Sequence, residues 1–403
     1  MTLSRKSILF LVHRIPYPPN KGDKIRSFNE LKFLSENFSI DLVSLTDDSD
    51  DVKYTEDLKQ YCRKVHVCYI PPLKAKVRGM ANLLAGGAIS TAYFYETRVQ
   101  KIVNACLSAN DYHAVICFSS PMAEYVFRAE DQFRRSNTKL IMDFCDLDSE
   151  KWKQYSVEKR FPMSWIFRLE SQRLLDYEIR TNRFFHHSIF VSEKEKLLFR
   201  LRYPEARNLI SISNGVDTGF FSPVEPLKTR SEPTLLFTGA MDYFANIDGV
   251  LWFMKEIFPL VKKASPNVRF IIAGRNPPRV IRRLAESPNV VVTGFVKDIR
   301  TCYQEADIAV IPLRIARGVQ NKILEGMAMA KPVVATPCAA DGIDAKVGIH
   351  LLVSDSPQKF ADTISRLLSS EHSRKNIATQ ALNHVRHRYA WSKCLSGFLG
   401  LLS

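Results

Sequence analysis

Two charged residues three positions apart, Lys322 and Glu325, stand at the start of what the pattern predicts to be a helix. Around them runs Ile311-Pro-Leu-Arg-Ile-Ala-Arg-Gly-Val-Gln-Asn-Lys-Ile-Leu-Glu325, followed by Gly-Met-Ala-Met-Ala-Lys-Pro-Val-Val-Ala-Thr336. A buried strand ends at Pro312, a polar loop contains Gly318, and a helix is expected from about Val319 to Ala330. The backbone N–H groups at such a helix start, with the helix dipole behind them, form an anion site. Arg317 and Lys322 would add full positive charge, and a diphosphate group suits such a pocket. Glu325 lies about two turns into the helix on the face of Lys322, where a carboxylate can accept two hydrogen bonds from a vicinal diol such as ribose. The same pair would also satisfy a helix surface, as an ordinary i, i+3 ion pair.

The elements that must position these residues are short apolar runs alternating with longer amphipathic stretches, the rhythm of parallel sheets covered by helices. Strands are expected at 8–12, 40–45, 64–70, 114–118, 139–143, 188–191 and 209–212, then at 234–238, 268–272, 290–293, 308–311, 332–335 and 350–353. Length points to two domains, since 403 residues exceed what one core usually supports. The fold expected is α/β, with two Rossmann-like doubly wound domains facing across a cleft. Residues 1–220 form the first, 221–233, rich in proline, the linker, and 234–385 the second. A C-terminal helix at 386–403 is expected to pack back on the first domain.

Composition narrows the function. Hydrophobic residues make up 46% and charged residues 25%, ordinary for a globular protein. The apolar run at the N-terminus stops after six residues, too short for a signal peptide, and no run reaches membrane-span length, so a cytoplasmic location is expected. Eight scattered cysteines with no CxxC give no reason to expect zinc or a disulfide. The net charge of +15 is shared between the halves and admits nucleic acid, an anionic membrane or phosphorylated ligands as partners. Nucleic acid is the weakest, because no zinc-finger, RRM or basic-region motif is present. Two stretches, 74–84 and 159–168, mix cations with apolar residues as interfacial segments do, though core-facing helices with solvated edges read the same way.

At Glu325-Gly-Met-Ala-Met-Ala-Lys-Pro-Val-Val-Ala335 the chain resembles the family-four, or group 1, retaining glycosyltransferases of the GT-B fold. Three further passages carry the likeness: Asn214-Gly-Val-Asp217 at the end of the first domain, Thr238 to Asp248 in place of the family's phosphate loop, and Val290 to Asp298 beside the nucleobase. The resemblance places the ribose at Glu325 and implies donor contacts from Gly318, Val319, Gln320, Asn321, Gly239, Gly274, Arg275 and either Phe295 or Val296. The family's glutamate eight residues before Glu325 is here Arg317. Ala240 and Asn246 stand where arginine and lysine are usual, which leaves Arg317 and Lys322 to meet the diphosphate. Arg317 to Glu325, with Asp143-Phe-Cys-Asp-Leu-Asp-Ser-Glu-Lys-Trp152, is similar to a subgroup tied to exopolysaccharide and exosortase (PEP-CTERM) clusters. The family's acceptor-side loop corresponds to Lys21, Gly22 and Asp23. Asp146 or Asp148 would bind acceptor hydroxyls or orient attack, unless these aspartates, with Asp143, merely cap a helix.

The resemblance implies a nucleotide-sugar donor, a saccharide or polyprenyl-linked acceptor, peripheral contact with an anionic inner membrane and no metal cofactor. A nucleotide-sugar epimerase, and a non-catalytic component of a polysaccharide assembly complex, are the competing functions.

Overall fold

The computed structural model of the chain describes residues 5–133, 136–223 and 232–403; most of the expected linker, 224–231, lies outside them. The chain divides into two compact units, Met1–Ser213 with Leu395–Ser403, and Asn214–Cys394.

The first unit is built on seven parallel strands: β1 (Ser7–Val12), β2 (Ser39–Thr46), β3 (Lys64–Tyr69), β4 (Ala114–Phe118), β5 (Lys139–Cys145), β6 (His187–Phe190) and β7 (Leu209–Ser211), in the order β3-β2-β1-β4-β5-β6-β7. The centre of this sheet is covered on both faces, so β1 and β4 read as unbroken apolar runs rather than alternating ones. From Ile8 to Val12, and throughout Ala114–Phe118, every residue is buried. Strand β5 runs two residues further than expected. Its register against β6 shifts between Asp143 and Cys145, where Cys145 takes a φ of 60° and turns the chain out of the sheet.

The second unit has six parallel strands: β8 (Thr234–Thr238), β9 (Arg269–Ala273), β10 (Val290–Gly294), β11 (Ile308–Ile311), β12 (Val333–Ala335) and β13 (Leu352–Val353). Their order is β10-β9-β8-β11-β12-β13. Every strand expected from the sequence is present. In both sheets the order reverses beside the first strand, between β1 and β4 and between β8 and β11. At such a switch point the following loops diverge to opposite faces and leave a crevice at the carboxyl ends.

The boundary falls earlier than residue 220. Val216 N donates to Tyr389 O at 2.7 Å and pairs with Ala390, which ties the Asn214–Asp217 turn to the second unit. The C-terminus is not one helix over 386–403. A helix at Glu371–Arg388 ends in the second unit, and Ser396–Leu402 belongs to the first. There the Leu402 carbonyl lies 2.6 Å from His113 Nε2, and Lys139 Nζ donates to Leu401 O at 3.1 Å.

Candidate functional site

At the carboxyl ends of β8 and β11 stand Lys322, Glu325 and Asn246, three of the residues singled out above. Strand β11 leads through a loop to the helix Asn321–Ala328, shorter at both ends than expected. Gln320 is still extended and folds its side-chain amide back onto Arg317 O at 2.8 Å. No side chain caps the helix start. Ile323 N already donates to Gln320 O at 3.0 Å, which leaves the N–H groups of Asn321 and Lys322 to meet an anion. At the other end Ala330, at a φ of 52°, stops the helix, with Lys331 N on Gly326 O at 2.9 Å. Ile323, Leu324, Met327 and Ala328 are buried and lock the helix onto the sheet.

Lys322 and Glu325 leave the same face. Lys322 Nζ donates to Asn246 Oδ1 at 2.6 Å and stands 4.5 Å from the centre of the Phe237 ring. Burial, opposed by Glu325, pushes the Lys322 ammonium down to about 7. Asn246 is itself fixed, donating from Nδ2 to Ala240 O at 2.9 Å. Glu325 Oε2 accepts from Tyr303 Oη at 3.2 Å, and that hydroxyl lies 3.0 Å from Thr238 Oγ1. Burial raises the Glu325 carboxyl above its ordinary value, against the Tyr303 hydrogen bond and the charge of Lys322.

Two close backbone approaches shape the walls. A Cβ on Gly274 would lie 1.7 Å from Gly239 O, and one on Gly342 would lie 2.1 Å from Gly318 O. Only glycine permits either contact. The Cβ of a residue replacing Gly239 would point at Asn246 Nδ2 and Lys322 Nζ. Arg275 follows Gly274; its carbonyl accepts from Met241 N at 2.9 Å, while its Nε is buried without a hydrogen-bond partner. Asn321 Oδ1 accepts from Asn214 Nδ2 at 3.3 Å, bringing the Asn214–Asp217 turn to the helix start. The Val319 side chain is buried, which leaves only its backbone to meet a ligand, and Arg317 is half-buried. Phe295 is 77% exposed beyond β10, with Val296 half-buried beside it.

In the first unit the aspartates separate into different roles. Asp143 caps no helix. It is fully buried, accepts from Arg26 Nη2 at 2.6 Å and from Cys145 N at 2.8 Å, and shares Arg26 with Glu30, 2.8 Å from Arg26 Nε. Burial and the charge of Asp143 push Glu30 well above the usual carboxylate range. Asp148 opens the helix Asp148–Glu158 and pairs with Lys151 at 3.1 Å. Asp146 lies in a loop clamped by two buried glutamates: Leu147 N donates to Glu195 at 2.9 Å, and Ser149 donates to Glu178 through N at 3.1 Å and Oγ at 2.5 Å.

Lys21 immediately precedes the helix Gly22–Ser35 and is exposed. Gly22 is exposed too, with nothing within 4 Å of where a Cβ would stand. Asp23 is an anchor, 3.1 Å from Arg14 and 3.4 Å from His13. Burial alone would raise it; the hydrogen bond from His13 and the charges of His13 and Arg14 hold it well below the usual range.

Tyr303, Phe237 and Gly342 escape the sequence reading, because none shares a local phrase with Glu325. Asn246 was legible only as a missing lysine. Among the described residues no group of three or more His, Cys, Asp or Glu is placed to hold a metal ion. No helix among them is long and apolar enough to cross a membrane.

Residues 232–370, which hold the whole Lys322–Glu325 constellation, match the family model for glycosyl transferases group 1. The chain is 20% identical over 396 residues to an uncharacterized 44.6 kDa protein in the cps region of Klebsiella pneumoniae, covering 94% of this chain and 96% of that one. Sucrose-phosphate synthase from Thermosynechococcus elongatus superposes with a TM-score of 0.75 at 16% identity, over 98% of each chain. Anabaena HepE in complex with UDP and glucose gives 0.67 at 16% identity, over 98% of this chain and 99% of that one. The structural likenesses establish the GT-B fold. Residues 232–370 are thus similar to group 1 glycosyl transferases on a GT-B fold, and together these findings support a transferase.

Proposed function

We propose that the chain transfers a sugar from a nucleoside-diphosphate donor to a saccharide or lipid-linked acceptor in cell-surface polysaccharide synthesis, with retention of anomeric configuration. The observation that carries this reading is the placement of Lys322 and Glu325 on one uncapped helix start at the switch point of the second sheet. An ammonium beside open N–H groups suits a diphosphate, and a carboxylate one turn on suits a ribose. UDP is the favoured nucleotide, because HepE was crystallised with UDP and glucose. Polysaccharide synthesis is favoured by the cps-region relative, and the exosortase-associated subgroup by the phrases at 143–152 and 317–325.

As the glycosidic bond stretches, negative charge grows on the leaving diphosphate. Lys322, Arg317 and the amides from Gly318 to Asn321 are fixed donors that stabilise it without reorganising. Phe295 or Val296 covers the base, and Arg275, with its unpartnered Nε, adds a further donor. Lys21, Gly22 and the clamped Asp146 serve the acceptor. The substitution at 246 favours an active enzyme over a non-catalytic component, since Asn246 holds the very cation that replaces the family's lysine.

Calorimetry with nucleoside diphosphates tests the reading: UDP, or another member of the series, binds with micromolar affinity, and no binding by any of them overturns it. Transfer measured with and without EDTA tests the absence of a metal. Activity abolished by EDTA and restored by Mn²⁺ or Mg²⁺ would contradict it.

A further inference from the structure

The first unit holds a cavity that the donor site does not use. It measures about 700 Å³, within the range of about 300–1,000 Å³ usual for small-molecule sites, and lies among the helices Pro72–Leu84, Ile89–Tyr93, Ala123–Phe127 and Met163–Phe184. Arg173, Asp176, Tyr177 and Arg180 line it from one face of the last of these, at i, i+3, i+4 and i+7. Three guanidiniums in the wall are held by the protein yet keep N–H groups to give. Arg173 donates through Nη1 to Gly86 O. Arg128 gives Nε to Glu124 at 2.7 Å and stands 4.2 Å from the centre of the Tyr95 ring. Arg180 stands 4.1 Å from the centre of the Phe127 ring, and none of its N–H groups bonds to another described residue.

A lining of guanidiniums alone would accept any polyanion. Asp176, however, is exposed in the same wall and forms no ion pair among the described residues. An unpaired carboxylate repels phosphate and calls for a ligand with hydroxyls to donate to it. The rings are already engaged: Tyr95 stacks on Tyr125 at 5.5 Å and carries Arg128, and Tyr177 packs on Phe127 at 5.7 Å. The rest of the wall is largely alanine and glycine, which offers little surface to a nucleobase or a lipid chain. We propose that this cavity binds an acidic saccharide, with Arg128, Arg173 and Arg180 meeting its carboxylates and Asp176 its hydroxyls. It is placed to hold a part of the acceptor remote from the reacting hydroxyl. Phe94, next to Tyr95, sets its ring 5.2 Å from His13, which in turn holds Asp23 of the acceptor-side loop. That placement, though not the binding itself, rests on reading the chain as a saccharide transferase.

Calorimetry on the full chain tests the proposal with trimers of galacturonate, glucuronate and mannuronate, with maltotriose and with inorganic diphosphate. At least one uronate trimer should bind at least roughly tenfold more tightly than maltotriose, which lacks the charge, and than diphosphate, which lacks the hydroxyls. Arg180→Gln, at an exposed side chain, should weaken that binding at least roughly tenfold while the melting temperature and the affinity for UDP stay unchanged. Asp176→Ala should narrow the margin between the uronate trimer and diphosphate. No binding by any uronate trimer overturns the proposal, as does binding of maltotriose or diphosphate that is equally tight. So does an Arg180→Gln protein that binds as the wild type does, or an equal gain for both anions in Asp176→Ala. Uronate binding by a chain that binds no nucleoside diphosphate supports the cavity and overturns only the donor reading.

Discussion

Lys322 Nζ rests on Asn246 Oδ1 at 2.6 Å, so the cation of the site is held by a neutral amide rather than by a carboxylate. A neutral partner orients the ammonium without cancelling its charge. Burial then pushes Lys322 down to about 7, which makes its ammonium readily neutralised. A bound diphosphate must raise that value, so donor binding takes up a proton when the pH lies above about 7. Affinity for a nucleoside diphosphate should be full below that pH and fall by up to about tenfold per unit above it. Calorimetry from about pH 6 to about pH 9, in buffers of different ionisation enthalpy, measures both the slope and the proton uptake. Lys322→Met should weaken binding and flatten the profile; an unchanged profile in that variant would remove Lys322 from the phosphate site.

Gly274 and Gly22 predict opposite outcomes for the same substitution. Gly274→Ala places a methyl group 1.7 Å from Gly239 O, and the loop must move. A loss of several kcal/mol is expected, read as a lower melting temperature or insoluble protein. Gly22→Ala meets nothing within 4 Å and adds a better helix former, so stability should hold or rise by about 0.5–1 kcal/mol. If the acceptor passes this loop, Gly22→Ala raises the acceptor KM and leaves nucleotide affinity alone.

Asp143 and Asp146, three residues apart, should likewise differ. Removing the Asp143 carboxylate leaves Arg26 to Glu30 and Ile212 O and takes the acceptor from Cys145 N, so Asp143→Ala should cost about 1–3 kcal/mol in denaturant unfolding. Asp146→Asn should leave nucleoside-diphosphate binding intact while lowering transfer to the acceptor. Equal loss of both would place Asp146 outside an acceptor role.

Glu178 gives the first unit a pH signature. Burial, only partly offset by the Ser149 hydrogen bonds, raises its pKa to about 8. A carboxyl raised in the folded state contributes stability that is fully present below its unfolded value and lost as the pH climbs toward about 8. Glu178→Gln keeps an acceptor for Ser149 N and has no charge to bury. Its unfolding free energy should lack that decline, and should match or exceed the wild type near pH 8. A parallel decline in both proteins would assign the slope to other groups.

The thirteen strands were legible because each central one is a short β-branched run between helix-length amphipathic segments, the pattern that a doubly covered parallel sheet imposes. Glu325 was legible for a local reason as well, since its helix, loop and following strand are contiguous in the chain. Its support was not. Tyr303 comes from the helix before β11, Thr238 from the end of β8 and Asn246 from the helix after β8, so only the fold brings them to one crevice. The same is true of Asp143, whose partner Arg26 is 117 residues away. The boundary at residue 220 was misplaced because the Asn214–Asp217 turn reads as the end of a domain, while its hydrogen bonds run to Tyr389 and Asn321.

The account turns on Glu325 as the ribose acceptor, and a nucleotide lacking the diol tests that most directly. Calorimetry compares UDP, or the nucleoside diphosphate that binds best, with its 2′,3′-dideoxy analogue on the wild type and on Glu325→Ala. Hydrogen bonds to a charged group contribute about 1.5–3 kcal/mol each, so the wild type should prefer the diol by at least roughly tenfold. The variant should bind both nucleotides alike, at the level of the wild type with the dideoxy analogue. A Glu325→Ala protein that still prefers the diol by the wild-type margin would contradict the placement of the ribose, and with it the donor site described here.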